Sequence, residues 1–130
     1  MKQNQRGVSM SVFACGAILA LLIVAGLVVD GTAQMMAREH AHAAAAQVAR
    51  FAVDASAPFQ VDGGDGRNVA LTAARTAAVK YPDLTFDITM DAAGTLNIIA
   101  TTRVNTVFLG LIGVSYLSAK GEASAIIIAA

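Results

Sequence analysis

The side chains that could ligate a metal or move a proton are few in this chain, and their spacing argues against either use. Glu39, His40 and His42 fall within four residues of one another, a set that would suit a divalent transition metal. The segment reads as helix, however, and helical residues two apart point nearly opposite ways, so His40 and His42 cannot grip one ion. They read as polar residues of a helix surface. Asp62-Gly63-Gly64-Asp65-Gly66 has the composition of a calcium loop but lacks its alternating ligands and closing glutamate. It reads as a solvated turn. No strand leads into those glycines and no Lys-Ser/Thr pair follows, so they make no phosphate loop. Asp54, Asp83, Asp87 and Asp91 form no acid pair, no histidine follows His42, and Ser and Thr stand outside any nucleophile motif. The chain is expected not to be an enzyme, with no catalytic residue, metal, cofactor or small-molecule substrate.

The elements that would position any site begin with a long apolar segment. Val8 to Val29 is uncharged, fenced by Lys2 and Arg6 before it and Asp30 after it. Twenty-two helical residues at about 1.5 Å each span the roughly 30 Å hydrocarbon core of a bilayer. The basic residues on the short side favour an N-terminus kept in the cytoplasm. The expectation is a single-pass protein of the cytoplasmic membrane: 1–7 inside, 8–29 across, the rest outside. A cleaved secretory signal is the rival reading, with Gly31-Thr32-Ala33 as a weak cleavage site, but the run is longer than the usual 7–15 residues of a signal core. Cys15 does not fit a lipoprotein site, because Phe13 stands where a small residue is wanted. As the chain's one cysteine it allows no internal disulfide and reads as a small packing residue.

Outside the span, Thr32 to Ala57 is rich in alanine and free of Pro and Gly, so the helix is expected to continue over 30–57 and stop before Pro58. Gly31 is a candidate hinge. Residues 58–130 form the expected head. Asn68 caps a helix to about Lys80, with Val69, Ala70, Ala73 and Ala77 inward. Leu84, Phe86, Ile88 and Met90 alternate with polar residues as in a half-buried strand, Asp91 to Gly94 turns the chain, and Thr95 to Thr102 returns. Val107 to Val114 reads as a short apolar helix packed on the sheet, too short to be a second span. Gly121 to Ala129 suits a last strand. The fold class is α+β: a long N-terminal helix, then a small head with about three antiparallel strands and two short helices.

Seven basic residues face nine acidic ones beyond the span, so nucleic acid is not an expected partner. Small side chains dominate, and such a thin core gains from packing against partners. Gly16 and Ala20 make a small-xxx-small pair that lets membrane helices approach closely. Ala41 to Ala46 offers a smooth face to a neighbouring helix, or reflects helix propensity alone.

Arg6-Gly7 before the span, Val29-Asp30-Gly31 closing it, the Ala/Arg-rich helix, Phe108 to Val114, and Gly121 to Ala125 follow one another in an order that resembles the TadE/TadG-like proteins of Tad (Flp) pilus assembly, especially their short actinobacterial form. The resemblance implies a pilin-like, pseudopilin-like or accessory membrane component of a type IV-related pilus or secretion apparatus. Its partners would be membrane lipid and other pilin-like or Tad assembly subunits, met through the N-terminal helix. It also implies a prepilin-peptidase site between Gly7 and Val8, although Val12 stands where such pilins carry glutamate. The alternatives are an envelope protein with a partner-binding head, or a soluble binding domain released by cleavage near Ala33.

Overall fold

The computed structural model describes residues 4–62 and 64–127. Lys2, Gly63, and Ile128 and Ala129 of the expected last strand lie outside the described residues. The chain opens with one helix, α1, Asn4–Val61, 58 residues long and so about 87 Å from end to end. Gly31 is no hinge, since the helix passes through it, and the stop expected before Pro58 is overrun by one turn. Local bonds close that turn. Ser56, fully buried, donates its hydroxyl to the Val53 carbonyl at 3.0 Å, and Gln60 Nε2 donates back to Ser56 Oγ at 3.3 Å. The carbonyls of Pro58 and Phe59 accept the N–H groups of Asp62 and Gly64 at 3.3 and 2.8 Å. Packing outweighs the local preference of a pre-proline residue for extended backbone.

The second helix, α2, is Arg67–Ala78, and it buries Ala70, Ala73, Ala74 and Ala77. Asp65 Oδ1, rather than Asn68, serves its first turn, accepting the Arg67 N–H at 3.0 Å. Strands β1 (Thr85–Met90), β2 (Thr95–Asn105) and β3 (Tyr116–Ile126) form one antiparallel sheet in that order. The expected last strand begins five residues early. β2 and β3 pair over their full lengths, from Thr95 opposite Ile126 to Asn105 opposite Tyr116.

One sheet face carries Phe86, Ile88, Met90, Leu96, Ile98, Ala100, Ala119 and Ala123, and α1 lies across it. The helix contributes Ala41, Ala44, Ala45, Val48, Ala49 and Ala52, all buried. Those positions recur at three- and four-residue spacing and trace one stripe. The Ala41–Ala46 face is therefore occupied by the chain's own sheet, which the small side chains let come close. Gly121 marks the closest approach, because a Cβ there would overlap the backbone of Ala41 and His42.

Candidate functional site

Among the described residues, no cluster suited to catalysis emerges. His40 Nε2 lies 3.1 Å from Asp83 Oδ2, both side chains more than half exposed, and the His40 ring meets Tyr81 edge-on at 6.3 Å. Tyr81 in turn hydrogen-bonds Gln47. These contacts tie the end of α2 to α1. His42 is exposed on the other side. Among the described residues no three His, Cys, Asp or Glu side chains gather as a metal site would require. Asp91 Oδ1 accepts the Thr95 N–H at 2.8 Å and shapes the β1–β2 turn.

The arrangement with most consequence sits where α1 leaves its apolar segment. Along the segment the large side chains are exposed, Leu21 at 70% and Phe13 at 76% for example. Gly26 and Asp30, one turn apart, are the buried exceptions. What covers them is the loop between β2 and β3. Asp30 Oδ1 accepts the Val107 N–H at 2.8 Å, and Oδ2 accepts those of Phe108 at 3.1 Å and Leu109 at 2.8 Å. These donors open a four-residue 3-10 turn, Leu109–Ile112, and such N–H groups have no partner within the turn itself. The N–H groups of Val107, then Leu109, hold the Asp30 carboxyl below its ordinary value near 3.8, against the opposing pull of burial. Phe108 lies directly against Gly26: a Cβ at position 26 would come within 2.5 Å of the Phe108 Cβ and Cγ.

The loop is otherwise closed on itself. Thr106 and Ser115 join through a backbone bond of 3.2 Å, Thr106 Oγ1 hydrogen-bonds the Val114 carbonyl, and Val114 N–H reaches the Leu109 carbonyl at 3.0 Å. Gly113 ends the turn at φ 94°, the left-handed region where a side chain is strained. Its apolar side chains face outward, with Val107 at 66%, Leu111 at 83% and Ile112 at 76% exposed. Between loop and helix runs a cleft of about 400 Å³ whose walls include Leu19, Leu22, Ile23, Leu27, Phe108 and Leu111. The expected apolar helix on the sheet is thus a 3-10 turn docked on the apolar helix. Asp30 can bond its backbone only at that end of the hairpin.

Gly7 and Val8 lie in the exposed first turns of α1. Gly16 and Ala20 share an exposed face of the apolar segment, and nothing among the described residues approaches within 4 Å of where a Gly16 Cβ would stand. Cys15 is exposed beside them. Sequence reasoning missed Asp30 and Gly26. The signal in reach was a lone carboxylate at the margin of an apolar run, one turn from a glycine.

Residues 7–56 match the family model described as Tad, putative Flp pilus-assembly TadE/G-like. The match takes in the apolar segment and its continuation to Ser56; the sheet and α2 lie beyond it. No curated protein and no solved structure matched the chain.

Proposed function

We propose that this chain, TadE/G-like over residues 7–56, is a membrane-anchored, pilin-like accessory component of a Tad-type pilus or the related secretion apparatus. The family match supports a role in pilus assembly. Among the described residues one helix is long and apolar enough to cross a membrane. In the proposed arrangement it does so once, in the cytoplasmic membrane, with the N-terminus inside and the head outside. The observation that carries this reading is the bareness of α1 before Gly26. Its large apolar side chains are exposed, and apart from Leu19, Leu22 and Ile23, which border the loop cleft, none lines a contact with the head, so they are available to lipid and to the helices of other subunits.

Gly7 also stands clear of the head, with open space around it, so a prepilin peptidase cutting after it would remove no contact of the head. Val12 supplies no carboxylate to pair with a neighbour's free amino end, and this favours an uncleaved accessory over a processed filament subunit. Release at Ala33 is disfavoured on different grounds. It would discard Gly26 and Asp30, and with them the groups that seat residues 107–109.

Mass spectrometry of the protein purified from membranes tests all three forms. The expected result is an intact N-terminus in the membrane fraction. A chain beginning at Val8 would replace the accessory with a processed subunit, and one beginning at Gln34 in the soluble fraction would end the membrane reading.

A further inference from the structure

The loop between β2 and β3 has the make-up of something that lives in lipid. No charged residue occurs between Arg103 and Lys120, and the most exposed large apolar side chains of that stretch are Leu111 and Ile112. In water, a patch joining these residues to the bare face of α1 would be a liability. Its position removes the difficulty. Three contacts fix the direction of the hairpin along α1: Gly121 crosses Ala41 and His42, Gln34 Nε2 donates to the Ser118 carbonyl at 3.1 Å, and Asp30 holds residues 107–109. The hairpin therefore points its tip back toward the apolar segment. From Asp30 to Leu22 and Leu19, which help form the cleft, is roughly 12 to 16 Å along the helix axis. That is up to about half the hydrocarbon thickness.

Non-helical backbone survives at such depth only where its polar groups are satisfied by protein. The bonds from Asp30, Thr106 and Val114 supply that satisfaction for much of this loop. Above the loop, the Arg103 guanidinium stacks 4.6 Å from the centre of the Tyr116 ring. Tyr and Arg are side chains that settle at the headgroup level, each with an apolar body and a polar tip.

We infer that residues 107–114 are a second membrane-embedded element, which dips into the outer leaflet beside the span and closes a lipid acyl chain into the cleft lined by Leu22, Leu27, Phe108 and Leu111. This rests on the anchor proposed above. The head is then bedded in the bilayer at one fixed orientation, rather than swinging on a stalk. Lipid is the occupant because the cleft is continuous with the lipid-facing side of α1 and has no polar side chain on its walls.

The test uses the full chain in phosphatidylcholine/phosphatidylglycerol vesicles, in a Cys15→Ser background. Single cysteines Leu111→Cys, Ile112→Cys, Leu21→Cys and Ala92→Cys carry an environment-sensitive fluorophore. Leu111 and Ile112 are exposed, so their labels displace little of the fold; Ala92 lies in the distal, exposed β1–β2 turn. Labels at 111, 112 and 21 should emit blue-shifted and be quenched severalfold more by doxyl-acyl lipids than the label at 92, which aqueous iodide should quench. If 111 and 112 behave like 92 while 21 remains lipid-quenched, the loop is not embedded and the anchor stands. If 21 is also open to iodide, the anchor falls and the inference with it. Labels at 111 and 112 shielded from both quenchers, increasingly so at higher protein-to-lipid ratio, would mean that another subunit fills the cleft and would overturn the lipid assignment.

Discussion

Asp30 Oδ2 accepts the N–H of Leu109 at 2.8 Å across 79 residues of sequence, and this bond, with its two companions, ties the β2–β3 loop to the end of the apolar segment. A carboxylate accepting several backbone N–H groups is held in its charged form. Asp30→Asn keeps the size but turns one acceptor into a donor facing a donor. Amide exchange at Val107 and Leu109 should rise by roughly tenfold or more, the scale on which charge-assisted hydrogen bonds count, while β2 and β3 near Ala100 and Gly121 keep their protection. Unchanged exchange at 107–109 would show that the loop is seated by its apolar contacts alone.

The same bond carries a pH dependence with a definite sign. The Asp30 carboxyl titrates below its ordinary value near 3.8 in the folded chain. Its contribution is therefore complete above that ordinary value and is lost as pH falls through the depressed one. The docked loop should persist unaltered through neutral and mildly acidic conditions and loosen only in stronger acid. Loop exchange followed from pH 7 to pH 2, with Asp30→Asn as the flat control, reads this directly. Loosening already near pH 6 would assign the control to another group.

Gly26 and Gly16 should behave as opposites. A side chain at 26 meets Phe108 at once, whereas one at 16 enters open space. Gly26→Ala should displace Phe108 and unseat the loop, measurable as faster exchange at Leu109, with insertion into the membrane intact. Gly16→Leu should leave the loop as it is and weaken crosslinking between neighbouring helices, since a small-xxx-small face works by close approach. Crosslinking unchanged by Gly16→Leu would remove Gly16 and Ala20 from any helix interface.

Local pattern carried much of this architecture into view. The length of the Val8–Val29 run, the alternation of Phe86, Ile88 and Met90, and the Asp91–Gly94 turn are short-range signals, and the helix, β1 and the first hairpin correspond to them. The core stripe of α1 is hidden in the sequence because all its members but Val48 are alanines, which helix propensity explains equally well without burial. The start of β3 is not legible locally because Ser115 to Ala119 alternates only weakly, and its strand character comes from pairing with the far end of β2. The Asp30 site was illegible for a plainer reason: its partners are backbone groups, identical at every position, and only the fold brings residue 107 to residue 30.

Gly121 tests the packing of α1 on the sheet. Its Cα faces the helix backbone so closely that the Cβ of an alanine would overlap Ala41 and His42. Backbone on both sides cannot rotate away as a side chain would, so the helix must lift. Gly121→Ala should destabilise the head by about 1–3 kcal/mol or more, the usual penalty for overpacking, read as a lower midpoint in thermal unfolding followed by the head's circular dichroism in detergent. Gly110→Ala, where the nearest atom is Thr106 Oγ1 at 3.5 Å, is the matched control and should change little. Equal midpoints for both variants would mean that α1 is not seated on β3 as described.

Leu21 decides whether the bare end of α1 is in lipid at all. It is 70% exposed and makes none of the hydrogen bonds that hold the loop, so replacing it leaves the head's contacts in place. An arginine there sits near the middle of the apolar run, where a charge costs about 2.5–3.5 kcal/mol on insertion scales. In the proposed single-span arrangement, that cost falls on the whole membrane affinity. Leu21→Arg should shift much of the protein out of the carbonate-resistant membrane fraction. The loop proposed to be embedded would add apolar area on one leaflet only, without reaching across, so it would not rescue spanning. Full retention of Leu21→Arg in carbonate-washed membranes would mean that something other than this helix holds the chain there, and α1 would then have to be read as a rod that packs against protein along its entire length.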